Sequence, residues 1–90
     1  MKFEYDPAKS EGNKAKHGID FEEAQALWLD DDRLEVPSAY EDESRYMVIG
    51  RIDAVVWTAV ATRRLAAIRI ISCRRARKKE IADYEQGRTH

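Results

Sequence analysis

Residues 45–73 read RYMVIGRIDAVVWTAVATRRLAAIRIISC, and most of the predicted β-sheet lies in this segment. It contains three runs rich in β-branched and aromatic residues, at 45–50, 55–62 and 67–73. The connections between the runs, 51–54 and 63–66, have a length that suits β-hairpins. The pattern therefore predicts an antiparallel meander of three strands.

A fourth, shorter strand is predicted at 34–36, where Pro37 ends it. The polar and acidic residues 38–44 then predict a loop that leads into the meander. The sheet is therefore expected to be small and antiparallel, with three or four strands.

Two short helices are predicted before the sheet. Asp6 is a good N-cap, Pro7 suits the first helical position, and Gly18 ends the first helix after residues 8–16. Asp20 and Glu23 have the spacing of a capping box for the second helix. That helix then carries an apolar stripe of Phe21, Ala24, Leu27 and Trp28.

A last helix is predicted at 75–86, with Gly87 as its end. The order of elements indicates a single α+β domain over residues 1–90, with two N-terminal helices and one C-terminal helix packed on one face of the sheet.

Composition limits the classes of protein that fit. A single cysteine, Cys73, makes no internal disulfide, and two histidines are too few for a structural zinc site, so no metal or cofactor is expected. No apolar run is long enough to span a membrane, and the N-terminus does not resemble a signal peptide. A reducing, cytoplasmic location is the default expectation.

Charge is strongly segregated along the chain, although the net charge is only −1. Residues 1–45 carry 6 basic and 13 acidic side chains, whereas residues 46–90 carry 10 basic and 4 acidic ones. Residues 54–79 contain 8 basic side chains and no acidic one. This distribution indicates an anion-binding face, with phosphate as the favoured anion, or a solvated surface of uneven charge.

Arginines occupy positions where other residues would favour stability. Arg69 interrupts the apolar run 67–73, so it is expected either to pair with Glu4 or Asp6 or to open onto a charged cleft. Four cations, Arg74, Arg75, Arg77 and Lys78, crowd the predicted start of the last helix. Cations there oppose the helix dipole, so the cluster suggests a phosphate-binding cradle, or side chains that bend into water.

The first helix carries a polar, basic stripe of Lys9, Asn13 and Lys16, with His17 beside it. Imidazole ionises near neutral pH, so His17 is a candidate for proton transfer. A protonated histidine that stabilises the C-terminal end of the helix is an equally good interpretation.

Two separated motifs resemble the signatures of BrnT-family toxins. The first runs from Phe3-Glu4-Tyr5-Asp6-Pro7-Ala8-Lys9 through Asn13 to Lys16-His17-Gly18-Ile19-Asp20-Phe21-Glu22-Glu23-Ala24. The second is Ile68-Arg69-Ile70-Ile71-Ser72-Cys73-Arg74-Arg75-Ala76, followed by Glu80 and Tyr84. The departures are small, with Tyr5 where Trp is common and Cys73 where Ala is common.

The resemblance implies a RelE-like fold and a ribonuclease toxin of a type II toxin–antitoxin pair. Such a toxin inhibits translation and forms a hetero-oligomer with a small antitoxin, here expected to be a BrnA-like DNA-binding protein. Metal-independent cleavage of RNA needs a base, an acid and cations on the phosphate. The expected assignments are Arg69 and Arg74 on the scissile phosphate; Arg63, Arg64, Arg75 and Lys9 on the RNA backbone; and His17, Lys16 and Tyr84, in that order, for proton transfer.

Two other functions remain open from the sequence. A module that binds nucleic acid without cleaving it has the same basic face. A protein-interaction domain uses the acidic and basic halves to dock partners of complementary charge.

Overall fold

The computed structural model describes residues 1–37 and 44–88. The elements, in chain order, are β1 (Phe3–Glu4), α1 (Pro7–His17), α2 (Phe21–Ala24), a 3₁₀ helix (Gln25–Leu29), β2 (Leu34–Pro37), β3 (Arg45–Ile52), β4 (Val55–Arg64), β5 (Ala67–Arg75) and α3 (Lys78–Arg88). The α+β class is as predicted. The acidic loop expected at 38–44 lies, except for Ser44, outside the described residues.

The strands form one five-stranded sheet in the order β1-β5-β4-β3-β2. Strands β2 to β5 make the predicted antiparallel meander. The expectation of three or four antiparallel strands is wrong, because β1 adds a fifth strand that runs parallel to β5. Two residues are too few to show a strand pattern, and their partners lie more than sixty residues away, so local sequence gives no sign of this pairing.

Both hairpins of the meander turn more tightly than predicted. Strand β3 extends to Ile52 and strand β4 to Arg64, which leaves two-residue turns at 53–54 and 65–66. Asp53 and Leu65 adopt positive φ angles of 54° and 34° in these turns. Four residues assigned to the connections therefore belong to the strand ends, namely Arg51, Ile52, Arg63 and Arg64.

A β-bulge in β5 changes which of its side chains share a face. Val60 pairs with Ser72, but the next residue of β4, Ala61, pairs with Ile70, so Ile71 is the extra residue. Ile70 and Cys73 are both buried in one core, although simple alternation places them on opposite faces.

The helices cover both faces of the sheet, which corrects the prediction that they lie on one. Ala59 and Ala61 of β4 belong to a core that includes Phe21 and Leu27 of the α1–α2 side. Val56, on the alternate face of β4, packs in a second core with Tyr84 of α3. The second core covers only one end of its face.

The helix boundaries follow their caps. Asp6 caps α1, Gly18 ends it with φ of 83°, and the capping box of Asp20 and Glu23 is formed, all as predicted. Helix α2, however, has only one turn before the chain tightens into the 3₁₀ helix. Helix α3 begins at Lys78 rather than at 75, because β5 continues to Arg75, and it runs through Gly87 to Arg88, so the predicted end at Gly87 is wrong.

Candidate functional site

A row of polar and charged side chains crosses four strands at one end of the sheet. Glu4 of β1 is in register with Arg69 of β5, Arg69 with Thr62 of β4, and Thr62 with Arg45 of β3. Residues in register across a sheet point to the same face. Helix α3 covers the other end of this face, so the row lies beside an open part of the sheet.

A cavity of about 360 Å³ lies at this row. Its lining includes five basic side chains, namely Lys9, Arg45, Arg63, Arg64 and Arg69. Thr62, Ser44 and Ile71 complete it, and no described residue that lines the cavity is acidic. We call this feature the cationic cavity. Convergent positive charge of this kind raises the local concentration of polyanions and favours phosphate.

The ion pairs that Arg64 and Arg69 make with Glu4 are long. Glu4 Oε1 lies 3.7 Å from Arg69 Nη1 and 3.8 Å from Arg64 Nε, and the three side chains are between a third and three-fifths exposed. Arg63 stacks over the ring of Tyr46, 4.0 Å from its centroid, and bonds Glu35 Oε1 at 2.8 Å. Exposed pairs at such distances contribute little free energy, so Arg64 and Arg69 can exchange them for a ligand.

Helix α1 is held against the edge of β5 by one buried side chain, Asn13. Its Nδ2 donates to the carbonyl oxygens of Ile19 and Cys73, each at 2.8 Å, and its Oδ1 accepts from the Cys73 N–H at 3.3 Å. Strand β1 pairs with β5 only as far as Arg69. The Asn13 amide therefore bonds backbone groups on the same edge of β5 at Cys73, where β1 no longer covers the edge. It thereby fixes the position of Lys9 at the cationic cavity.

Arg74 is held by an acidic side chain of α3. Its two terminal nitrogens bond the two oxygens of Glu80 at 2.8 and 3.0 Å. Glu80 also accepts from the Thr58 hydroxyl at 2.9 Å and from the Arg77 N–H at 2.8 Å. The anion bound at the start of α3 is therefore the protein's own carboxylate, held by the Arg74 side chain and the Arg77 N–H, and a phosphate cradle at this place stays a prediction.

The bonds from Arg74 lower the pKa of Glu80 to about 2, although burial acts in the opposite direction. A folded-state pKa below the unfolded value means that stabilisation is complete above pH ~4.5 and is lost as the pH falls towards ~2. We expect Glu80→Gln to lower the free energy of unfolding by about 2–3 kcal/mol at pH 7 and by much less near pH 2. Urea unfolding at the two pH values measures this difference.

The matched control for Glu80 is Asp83→Asn on the same helix. Asp83 pairs with Lys79 at 3.0 Å, and the lysine side chain is 85% exposed. Exposed pairs contribute little, so this variant should keep the parental unfolding midpoint. Equal losses in the two variants at pH 7 would contradict the role given to Glu80.

Tyr84 lies in the second core and is 1% exposed. Its hydroxyl donates to Asp30 Oδ2 at 2.6 Å, and burial together with this bond raises the pKa of Tyr84 to about 12. Asp30 also accepts from the Arg51 N–H at 2.8 Å. These contacts fasten α3 to the 3₁₀ helix and β3, at the end of the face remote from the cationic cavity.

The structure brings together four of the sequence-predicted site residues, Lys9, Arg63, Arg64 and Arg69. Arg74 shares the face of Arg69 and Thr62, but its partner on β4, Thr58, lies four residues before Thr62, roughly 13 Å along the strand.

The other predicted site residues lie elsewhere. Arg75 pairs with Trp57 on the alternate face and stacks over its ring at 5.7 Å. Lys16, which is exposed, and the half-buried His17 are two turns beyond Lys9 on α1, about 10–12 Å along its axis.

Sequence analysis missed Arg45 and Thr62 as members of the site. Arg45 begins β3 next to an acidic loop, and Thr62 ends an apolar run, so each resembles an ordinary strand terminus. The available signal was register, since tight hairpins place these two residues and Arg69 side by side.

Residues 1–37 and 44–88 contain no group of three or more His, Cys, Asp or Glu side chains arranged to hold a metal ion. In the same part of the chain, no helix has the length and apolar character needed to cross a membrane.

Comparison with known proteins gives one result. No curated protein matches the chain. The family model described as "Ribonuclease toxin, BrnT, of type II toxin-antitoxin system" matches residues 5–80. The matched region contains α1, the whole meander and the Arg74–Glu80 pair. The chain therefore belongs to the BrnT family of ribonuclease toxins of type II toxin–antitoxin systems.

Proposed function

We propose that this protein is an endoribonuclease that cleaves RNA by metal-independent acid–base chemistry and so inhibits translation. The observation that supports the proposal most directly is the convergence of Lys9, Arg63, Arg64 and Arg69 on one open cavity in a member of a ribonuclease family. The RNA backbone is the polyanion that such a cavity binds.

The proposed reaction is an internal transfer at phosphorus. The 2′-oxygen forms a bond to phosphorus as a base takes its proton, and the bond from phosphorus to the 5′-oxygen breaks as an acid protonates that oxygen. The products are a 2′,3′-cyclic phosphate and a free 5′-hydroxyl. Negative charge develops on the phosphorane, so guanidinium groups fixed beside it lower the barrier.

In this proposal Arg69 contacts the scissile phosphate, because it lies within the row and its ion pair with Glu4 is long, at 3.7 Å. Arg63, Arg64 and Lys9 hold the neighbouring backbone. Arg74 adds its charge to the same face, and direct contact with phosphate requires its pair with Glu80 to open. Arg75 lies on the opposite face of the sheet from Arg69, so it would contact RNA only where the strand passes around the edge of the sheet to that face.

Proton transfer is assigned to His17 first, then Lys16, then Tyr84. The buried Tyr84 hydroxyl, with its pKa raised to about 12, is the least suited of the three near neutral pH. His17 and Lys16 lie about 10–12 Å along α1 from Lys9, so either residue can transfer a proton at the phosphate held by Arg69 only when the side chain and the RNA close this distance on binding.

A neutralising partner is part of the proposal. A BrnA-like, DNA-binding antitoxin would place acidic side chains in the cationic cavity and exclude RNA from it. The cavity has no acidic lining of its own among the described residues, and a partner's carboxylates would replace the long pairs that Arg64 and Arg69 make with Glu4.

The test is cleavage of RNA by the purified chain, with and without EDTA. We expect cleavage in both conditions, and we expect Arg69→Gln to lower kcat/KM by about 100-fold, as the loss of one charged contact to the transition state does. Lys79→Gln is the control, because it also removes one positive charge but from an exposed site on α3. It should retain the parental rate.

Other outcomes would favour other functions. Cleavage abolished by EDTA would require a metal and contradict the proposed mechanism. Intact RNA together with salt-dependent RNA binding would identify a non-catalytic binding module. Intact RNA without binding would favour a protein-interaction domain.

A further inference from the structure

The turn between β4 and β5 carries a leucine that folding does not explain. Leu65 is fully exposed, with a relative accessibility of 112%, and it adopts a φ of 34°. Positive φ is unfavourable for a residue with a branched side chain, and glycine or asparagine adopts it more readily. Leu65 therefore combines an unfavourable backbone conformation with an apolar side chain that is not buried.

The same turn borders a second depression, of about 560 Å³, which we call the apolar depression. Its lining consists of Lys2, Glu4, Arg64, Leu65, Ala66 and Ala67. Leu65 and the two alanines provide apolar surface, while Lys2 and Glu4 provide a hydrogen-bond donor and an acceptor. Small apolar areas with a few polar groups are typical of sites for small ring systems.

Arg64 joins the two features, because its side chain lines both the cationic cavity and the apolar depression. Glu4, at 3.8 Å from Arg64, stands at the boundary. A ligand that lies across this boundary needs anionic groups on one side and a flat apolar group with polar edges on the other. A nucleotide of single-stranded RNA has this composition.

We propose that the apolar depression is a binding subsite for an unstacked nucleobase of the RNA whose phosphates occupy the cationic cavity. The base contacts Leu65 and the adjacent alanines, and its polar edge faces Lys2 and Glu4. The inference rests on the proposed function. It adds that the protein contacts a base of the RNA as well as the charged backbone.

The experiment compares two probes by fluorescence anisotropy. One is a short 2′-O-methylated oligoadenylate, which cannot be cleaved, and the other is an abasic 2′-O-methyl ribose-phosphate chain of equal length. The parent should bind the oligoadenylate more tightly. We expect Leu65→Gly to weaken oligoadenylate binding about 10-fold, because one apolar contact to a base is lost, and to leave abasic binding unchanged.

Two further variants complete the design. Leu65→Asn suits the turn and lacks the apolar surface, so it should reproduce the loss without impairing folding. Leu29→Asn removes another exposed leucine, 82% accessible, at the end of the 3₁₀ helix, and should bind as the parent does. Thermal unfolding of each variant confirms that it is folded.

The outcomes separate this inference from the proposed function. Equal parental affinity for the two probes, or unchanged oligoadenylate binding by the Leu65 variants, would overturn the base subsite while leaving the ribonuclease proposal intact. A parent that binds neither probe and cleaves no RNA would overturn both.

Discussion

Replacement of Asn13 by aspartate is expected to lower the free energy of unfolding by about 3–5 kcal/mol, the loss typical of an uncompensated buried charge. The side chain is 9% exposed and makes three hydrogen bonds to backbone groups of Ile19 and Cys73. Aspartate has the same shape, but a carboxylate oxygen would replace the Nδ2 that donates twice. Two backbone carbonyls would then face negative charge in place of a donor.

The measurement is urea unfolding at pH 7, with Gln25→Glu as the control. Gln25 begins the 3₁₀ helix and is half-buried, so the same change from amide to carboxylate there should have a much smaller effect. Asn13→Ala should also destabilise, because it leaves the same backbone groups without partners. A stability of N13D within about 1 kcal/mol of the parent would show that Asn13 does not hold α1 to the sheet.

The polar stripe on α1 shows how far sequence carries such an assignment. Lys9, Asn13 and Lys16 recur at helical spacing, and the sequence predicted one basic surface that includes Asn13. Lys9 does line the cationic cavity, but Asn13 is a buried structural residue. The difference depends on the free edge of β5, which arises because β1 is so short. Residue type and spacing on α1 contain no information about that edge.

The β-bulge has a similar consequence for the arginines of β5. By simple alternation, Arg69 and Arg75 share one face and Arg74 lies on the other. The bulge inserts Ile71, so Arg69 and Arg74 share a face and Arg75 moves to the opposite one. The mostly apolar run around Ile71 gives no sign of a one-residue bulge. The sequence therefore identified the arginines of β5 but not which of them share a face.

Local features, by contrast, were predictable. Asp6, Gly18 and the pair Asp20 and Glu23 act through backbone groups a few residues away, so their roles follow from spacing alone. The meander was predictable for the same reason, since each strand pairs with its neighbour in the chain. The Arg74–Glu80 pair was missed because it depends on where β5 ends and α3 begins.

Substitution of His17 by alanine is expected to lower kcat for RNA cleavage by about 10²–10⁴-fold, the range typical of a lost general acid or base. RNA affinity should change little, because the proposal assigns the hold on the RNA backbone to the cations of the cationic cavity, and His17 is not among the residues that line it. The rate and the affinity are measured separately, by single-turnover cleavage at saturating protein and by anisotropy with a 2′-O-methylated RNA. A loss confined to the cleavage rate is what distinguishes proton transfer from phosphate binding.

The pH dependence of the cleavage rate adds a second readout for the same variant. A neutral imidazole that acts as the base makes the rate rise with pH on the acidic side, and the alanine variant should lose this limb. Lys14→Gln is the control, because Lys14 is on the same helix but faces away to pair with Glu23 at 2.8 Å. Parental cleavage by His17→Ala would remove His17 from the mechanism. Single-turnover cleavage and RNA affinity of Lys16→Ala would then decide whether Lys16 transfers the proton, since it is the next candidate after His17.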